Sequence, residues 1–390
     1  MINFKRVLVQ LRDRHPEFND LAECCGKNAR APPSPDLLEL SRIYIEKALD
    51  LPERIARLKH EASPWRHGLL ASIIIMSKDS DNEVWGWLCH GAPMGLACDI
   101  LPGGHFPKSD DQASMSIDTL DKLPGKEVNH ASFHENPESS GAAEDPPSWQ
   151  LLREQVDSGF AMLFESRSAA EAYLGAKAHP APLGCVSKQK EDGSWKHRLI
   201  QDLRANQVNA AVVLPERQVL PRGIDHGRDL AVLADEAVSD EVVETLILDF
   251  KDAFMSIPIR TEERRFNCAN TEFDLTRNRE ALYADEPSTG RFVVWRVLGF
   301  GGKPNPLVFA RAASLASRTA QALLGPWDRD QRSDDHSDLA RGRLQVYVDD
   351  PVLSCVGTKE QVKKSMDIVL LWWMILGTRS TCVGRIRSDP

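Results

Sequence analysis

Two aspartates, Asp349 and Asp350, stand side by side in LQVYVDDPVLS between two apolar, β-prone runs. A hairpin turn there keeps both carboxylates near its tip while neighbouring side chains point apart. Like charges so close repel, and a hard cation such as Mg2+ relieves the repulsion. For the pair alone a solvated turn is the simpler reading, because aspartate is a common turn residue. A third carboxylate, Asp249, closes the run VETLILDF at 243–250. A carboxylate at the end of a buried strand is costly unless it is paired or metal-bound. Capping of a following helix is its plainer alternative.

The elements that must hold these residues follow from pattern. VETLILDF is short, apolar and β-branched, as a buried strand requires, and RFVVWRVLGF at 291–300 is similar. LQVYVDDPVLSCV at 344–356 reads as two strands around a tight turn. The Ala- and Leu-rich stretch 306–324 and the stretch 359–376 read as helices. Residues 149–178 read as a helix interrupted near Gly159. Residues 36–62 are helical by the spacing of Leu37, Leu38, Leu40, Ile43, Ile45, Ala48 and Leu49, with a break at Pro52. No internal repeat is present.

Taken together and in order, WKHRLIQDLRANQVN, LILDFKDAF, VLGFGGKPNPLVFAR and YVDD form a set between residues 195 and 350. The set resembles the reverse transcriptases of retroviruses and retrotransposons, the RNA-directed DNA polymerases. YVDD matches their Tyr-x-Asp-Asp motif, and LDFKDAF the aspartate motif before it. LGFGGKPNP is similar to their Leu-Pro-Phe-Gly-x-Lys-x-x-Pro segment. RLIQDLRANQVN has the Arg-x-x-x-Asp-x-Arg spacing of their fingers. The resemblance spans about residues 180–378.

The resemblance implies an α+β fold, a polymerase fingers-palm core with an antiparallel palm sheet and packed helices. It implies RNA- or DNA-templated addition of deoxynucleoside triphosphates to a primer 3′-hydroxyl. Two Mg2+ ions, with Mn2+ as the alternative, would be held by Asp249, Asp349 and Asp350. Asp249 and Asp349 would bridge them, and the backbone carbonyl of Phe250 would complete one site. Phe254 falls at the position of an aromatic gate against the ribose 2′-hydroxyl, the group that separates RNA from DNA building blocks. Arg198 aligns with a triphosphate-gripping arginine, whose planar fork suits phosphate. Lys190, or Lys188 in another register, would add a second cation. Phe300, Gly301 and Lys303 match the nucleotide-facing segment, where glycine lets the backbone approach closely. Pro351 directly after the aspartates is unusual, because proline removes a strand donor. Forty residues follow Asp350, so a core with its thumb absent is expected, a truncated retroelement product. The alternative is a catalytically silent remnant, at most a nucleic-acid-binding or interaction module.

Composition bounds these readings. The chain has 390 residues, of which 42% are hydrophobic and 27% charged, as in ordinary globular proteins. The organisation expected is an uncharacterised, mostly helical region at 1–107, a flexible linker at 108–148 rich in Ser, Asp, Glu and Pro, and fingers and palm at 149–390. The net charge of -9 argues against a coating mode of nucleic-acid binding, though not against a local basic groove. Eight scattered cysteines without a CxxC pair give no support to a zinc finger or disulfide scaffold. No apolar run approaches the roughly 20 residues a membrane helix needs. With no secretory signal legible, an intracellular place is expected, nuclear or cytoplasmic. Trp372 and Trp373 are expected in the core.

Overall fold

The computed structural model describes residues 2–24, 31–123, 133–134, 148–190, 193–235, 237–271, 292–324, 338–378 and 380–388. The fold is α+β. Its first part is helical: α1 (Ile2–Arg14), α2 (Leu21–Cys24), α3 (Pro35–Ala48), α4 (His67–Ser77), α5 (Val84–His90) and α6 (Ile117–Lys122). There follow β1 (Phe133–His134), α7 (Ser148–Asp157), β2 (Ala161–Phe164), α8 (Arg167–Leu174), β3 (Leu183–Gln189) and β4 (Trp195–Gln201). The remainder is α9 (Gly223–Asp235), β5 (Val242–Phe250), β6 (Cys268–Asn270), β7 (Phe292–Trp295), α10 (Asn305–Gln321), β8 (Arg341–Tyr347), β9 (Asp350–Gly357), α11 (Lys359–Leu376) and β10 (Ser380–Ser388). Among the described residues no helix is long and apolar enough to cross a membrane.

The strands form three sheets, ordered β1-β3-β4, β2-β7-β6 and β10-β5-β9-β8. In the last of these every neighbouring pair is antiparallel. Strand β5 lies inside that sheet and buries Leu246, Leu248 and Phe250 in the core that α10 and α11 complete. Side chains alternate across a strand, so Asp249 leaves on the opposite face. Helix α11 has the bounds its pattern predicts. A Thr358–Gln361 capping box starts it and Gly377, at φ +90°, ends it. Trp372 and Trp373 are fully buried, as expected, and their indole N–H groups donate to Thr319 Oγ1 and the Ala316 carbonyl.

Two local expectations need correction. The pattern over 149–178 predicts an interrupted helix, yet residues 161–164 form β2. AMLF pairs antiparallel with the fully buried FVVW of β7, from Ala161↔Trp295 to Phe164↔Phe292. That tertiary ladder overrides helix propensity. Similarly, RFVVWRVLGF is a strand only over Phe292–Trp295. Its end is drawn into single bridges, Val297 to Pro258 and Phe300 to Ile200.

The composition of 108–148 predicts a flexible linker, but residues 108–123 are fixed to the body. Leu120 is buried, Asp121 accepts from Arg265 and His179 at 2.7 Å each, and Asp111 pairs with Lys303 at 2.8 Å. Few apolar residues are needed when charged ones find partners. The rest of that stretch, apart from Phe133–His134 and the start of α7, lies outside the described residues.

Residues 1–107 share their core with the four-stranded sheet. Phe4, Leu8, Leu69, Ile73, Trp87 and Leu88 belong to one apolar cluster with Leu246, Phe250, Phe309 and Trp373. Buried polar pins reinforce the join. Arg42 donates to the carbonyls of Met374 and Ile375 at the end of α11, 3.0 and 2.9 Å away, where few intrahelical donors remain. Arg12 pairs with Asp367 at 3.1 Å. The phrase GAPMGLACDI wraps Glu263, whose buried carboxylate accepts from the N–H groups of Met94, Leu96, Ala97 and Cys98. Glu263 therefore organises a loop. Cys89, His90 and Cys98 lie in or beside this wrap and form no metal-binding group.

Candidate active site

The β8–β9 hairpin places Asp349 and Asp350 at its tip, in the register Tyr347↔Asp350. Val348 adopts φ +58° there, a left-handed conformation that costs a β-branched residue energy. The β5–β9 ladder ends at Ile247↔Val352, one residue short of Pro351. The missing proline N–H therefore removes no bond to β5. Instead the Phe250 N–H donates to the Asp349 carbonyl at 2.8 Å and ties the strand end to the hairpin tip. On the other side of β5, Thr381 of β10 stands opposite Asp249. The closing segment STCVGRIRS, β10 at 380–388, is thus the strand that flanks Asp249.

The carboxylates at this end of the sheet feel one another electrostatically. Burial pushes Asp249 above the usual carboxylate range, and repulsion from Asp349 adds to it. Lys196, a hydrogen bond from Thr381 and Arg198 pull the other way. Asp350 is likewise raised, by desolvation first and then by Asp349 and Asp249, with Lys196 and Arg198 opposing. Carboxylates raised by burial and by a neighbouring carboxylate are a mark of functional sites, although structural networks can also do this.

Arg198 and Lys196 lie on β4, both exposed. That strand crosses the glycine turn: the Gln201 N–H donates to the Phe300 carbonyl at 2.9 Å. Gly301, at φ +115°, packs so tightly on Gln201 that any Cβ would overlap its carbonyl oxygen. Gly301→Ala should lose about 1–3 kcal/mol from backbone strain alone, measured by urea denaturation. A variant as stable as the parent would refute this packing. The turn presents Phe300 with the Arg198 guanidinium 5.5 Å over its ring. Phe254 meets Phe300 edge-on at 5.4 Å and Phe309 at 5.7 Å, and Phe309 meets Phe250 at 6.2 Å. An aromatic row thus runs from the basic strand to the core beneath Asp249.

The other expected residues are placed differently. Lys303 is a strut: its ammonium contacts Asp111 and donates to the Val212 carbonyl at 3.0 Å, while its backbone N–H donates to Asn209. Lys190 is exposed at the tip of the β3–β4 hairpin, where its backbone closes the turn with Ser194 and Gly193. Sequence reasoning missed Lys196, Thr381 and Asn209. Lys196 was visible as a second cation in WKHR. Asn209, which also donates to the Gly301 carbonyl at 2.9 Å, and Thr381 become significant only through pairing.

The all-oxygen donor set of Asp249, Asp349 and Asp350 suits a hard cation. Among the described residues no three His, Cys, Asp or Glu side chains stand close enough to hold an ion together. Mg2+ does not require that, since it commonly takes one or two carboxylates and completes its shell with waters and substrate oxygens. A cavity of about 370 Å³ opens beside the following turn, between Trp65 on one wall and Phe250 to Ala253 on the other.

No protein-family model and no curated protein matches the sequence. Solved structures with some likeness include those of foamy virus protease-reverse transcriptase. One, in complex with double-stranded DNA, is 17% identical over 67% of this chain and 35% of that one, with a TM-score of 0.37. The selenomethionine-labelled CSH mutant of the prototype foamy virus protein is 17% identical over 66% of this chain and 25% of its own, with a TM-score of 0.34. The native form is 14% identical over 65% and 24%, again at 0.34. This chain therefore spans about a third of the first of these structures or less.

Proposed function

We propose that the chain carries the fingers and palm of a template-directed DNA polymerase of reverse-transcriptase type. The observation that carries this reading is the join between Asp249 and the Asp349–Asp350 hairpin, fixed by the Phe250 N–H, where burial and then neighbouring carboxylates raise Asp249 and Asp350. Asp249, Asp349 and Asp350 would hold the Mg2+ ions, with Mn2+ as the alternative. Bound there, the ions would activate the primer 3′-hydroxyl and offset charge on the transferring phosphoryl group. The chain's own cations act beside them. Arg198, fixed over Phe300, offers a planar fork to the triphosphate, and Lys196 adds charge from the same strand. Lys190 at the hairpin tip would reach the same anion. Phe254 would exclude a ribose 2′-hydroxyl, which makes deoxynucleoside triphosphates the substrates. A template-primer duplex is the expected nucleic-acid partner.

The test is primer extension on RNA and DNA templates with Mg2+, comparing deoxy- with ribonucleotides. Extension with deoxynucleotides supports the reading. Phe254→Val should raise ribonucleotide use relative to deoxynucleotide use by at least roughly tenfold, the scale on which a reshaped pocket discriminates. An unchanged ratio would remove Phe254 from sugar selection.

The second reading is a catalytically silent module that binds nucleic acid or a partner. The carboxylates favour it in so far as no three of them are gathered for an ion among the described residues. Binding of a template-primer by a folded chain that never extends it, with either Mg2+ or Mn2+, would decide for this reading.

A further inference from the structure

We propose that the segment Ser63–Arg66, which lies outside the polymerase-like motifs, positions Phe254 and thereby sets its sugar discrimination; the role of Phe254 itself rests on the function proposed above. Phe254 opens a three-residue 3-10 turn, Phe254–Ser256. The turn begins just after Asp252, which sits at φ +55°. Internal bonds are few: the Ser256 N–H donates to the Asp252 carbonyl at 2.8 Å and the Ile257 N–H to the Phe254 carbonyl at 3.1 Å. So short a turn, entered through an unfavourable backbone conformation, persists only when its surroundings impose it.

Ser63 and Trp65 supply those surroundings. The buried indole N–H of Trp65 donates to Ser256 Oγ at 2.9 Å, and Ser256 Oγ donates in turn to the Ala253 carbonyl at 2.6 Å. Ser63 Oγ donates to the Ser256 carbonyl at 2.7 Å. The segment is itself held from behind. The Arg66 N–H donates to the Leu376 carbonyl at 2.8 Å, and the Pro64 carbonyl packs on Gly377, where any side chain would overlap it. The turn bearing Phe254 is therefore clamped between the end of α11 and the aromatic row. Trp65 grips its outer side and Phe300 and Phe309 meet the ring on the inner side. Discrimination by a ring depends on where its edge lies, and a shift of about 1 Å in a positioning element can cost roughly a hundredfold in rate. Ser63 and Trp65 touch no reacting group and act only through Ser256, so they are positioning residues.

Trp65→Phe removes the donor together with part of the buried indole, whereas Ser256→Ala removes the hydroxyl that accepts from it with little change of volume. Each variant of the full chain is assayed for incorporation of dATP against ATP. In parallel, 4-fluorophenylalanine at position 254 reports the ring's surroundings by fluorine NMR without nucleotide. Both variants should still incorporate dATP, should lower the dATP-to-ATP preference by about tenfold, equivalent to one modest interaction, and should move the fluorine resonance. The double variant should lose no more than either single one, because they break the same link. A folded variant with a lower melting temperature but unchanged preference and an unmoved resonance overturns the proposal. A parent chain that incorporates neither nucleotide overturns the functional reading and the discrimination role with it. The fluorine arm then decides positioning alone, and an unmoved resonance overturns that as well.

Discussion

Asp349→Asn is expected to abolish nucleotide incorporation while leaving the chain folded. Its backbone carbonyl, not its side chain, accepts the Phe250 N–H, so the isosteric amide keeps the join between β5 and the hairpin. What disappears is the negative charge. If that charge helps hold the ions that stabilise phosphoryl transfer, extension should fall by at least roughly a thousandfold, the scale seen when a charge-stabilising group is removed. Asp349 also raises both Asp249 and Asp350, so both should move back toward the ordinary carboxylate range in the variant. Carboxyl-selective NMR titration reads this directly. A stability consequence follows, and its sign is fixed. Groups with raised folded-state pKa values favour the fold below their unfolded pKa, and that advantage is lost as pH rises and they ionise. Removing Asp349's charge should therefore make the chain more stable at neutral pH, with no gain near pH 3. Such a variant, dead and slightly more stable, is what a site that trades stability for chemistry produces. An active Asp349→Asn enzyme would sink the functional reading.

Asp81→Ala should destabilise the chain more than any surface change. The Arg311 guanidinium is fully buried and grips Asp81 through two bonds, at 2.8 and 2.6 Å. It also lies 4.2 Å over the Trp87 ring, contacts the Leu101 carbonyl, and stands 3.9 Å from Glu216. Residues 81–104 are thereby pinned to α10, the helix that backs the glycine turn and the aromatic row. Leaving that guanidinium buried beside an alanine should cost about 3–5 kcal/mol, the usual penalty for removing one partner of a buried pair. The loss should appear as a lower denaturation midpoint in urea. Asp81→Leu combined with Arg311→Met should recover part of it, because an apolar pair replaces two buried charges while the buried Glu216 loses its neighbouring guanidinium. A single Asp81→Ala variant with parental stability would show that the pin contributes nothing. If the double variant recovers stability but not extension, Arg311 serves the site's geometry and not only the fold.

Asp249, Asp349, Asp350, Phe254 and Arg198 stand out in sequence as candidates because the chemistry proposed for them requires particular residue types at particular spacings. A carboxylate pair at a hairpin tip and a carboxylate ending an apolar strand leave local traces. The same holds for β5, the β8–β9 hairpin, α10 and α11, whose periodicity is uninterrupted over their length. Ser63 and Trp65 leave no such trace. Their roles depend on hydrogen bonds to Ser256, which lies 193 and 191 residues away. Lys303 looks like a site cation in sequence, and only the fold brings it Asp111, 192 residues distant.

What the sequence alone determined is a set of candidate residues and the elements that carry them, since both are written in local patterns of type and spacing. Tertiary structure decided the rest. It made 161–164 a strand because β7 needed a partner, and it turned 108–123 from apparent linker into a fixed wrap through ion pairs. It set residues 380–388 beside Asp249 and merged residues 1–107 with the core beneath the site. Those outcomes depend on which distant groups become neighbours, and pairing energies between distant strands and charges do not appear in any local window of sequence.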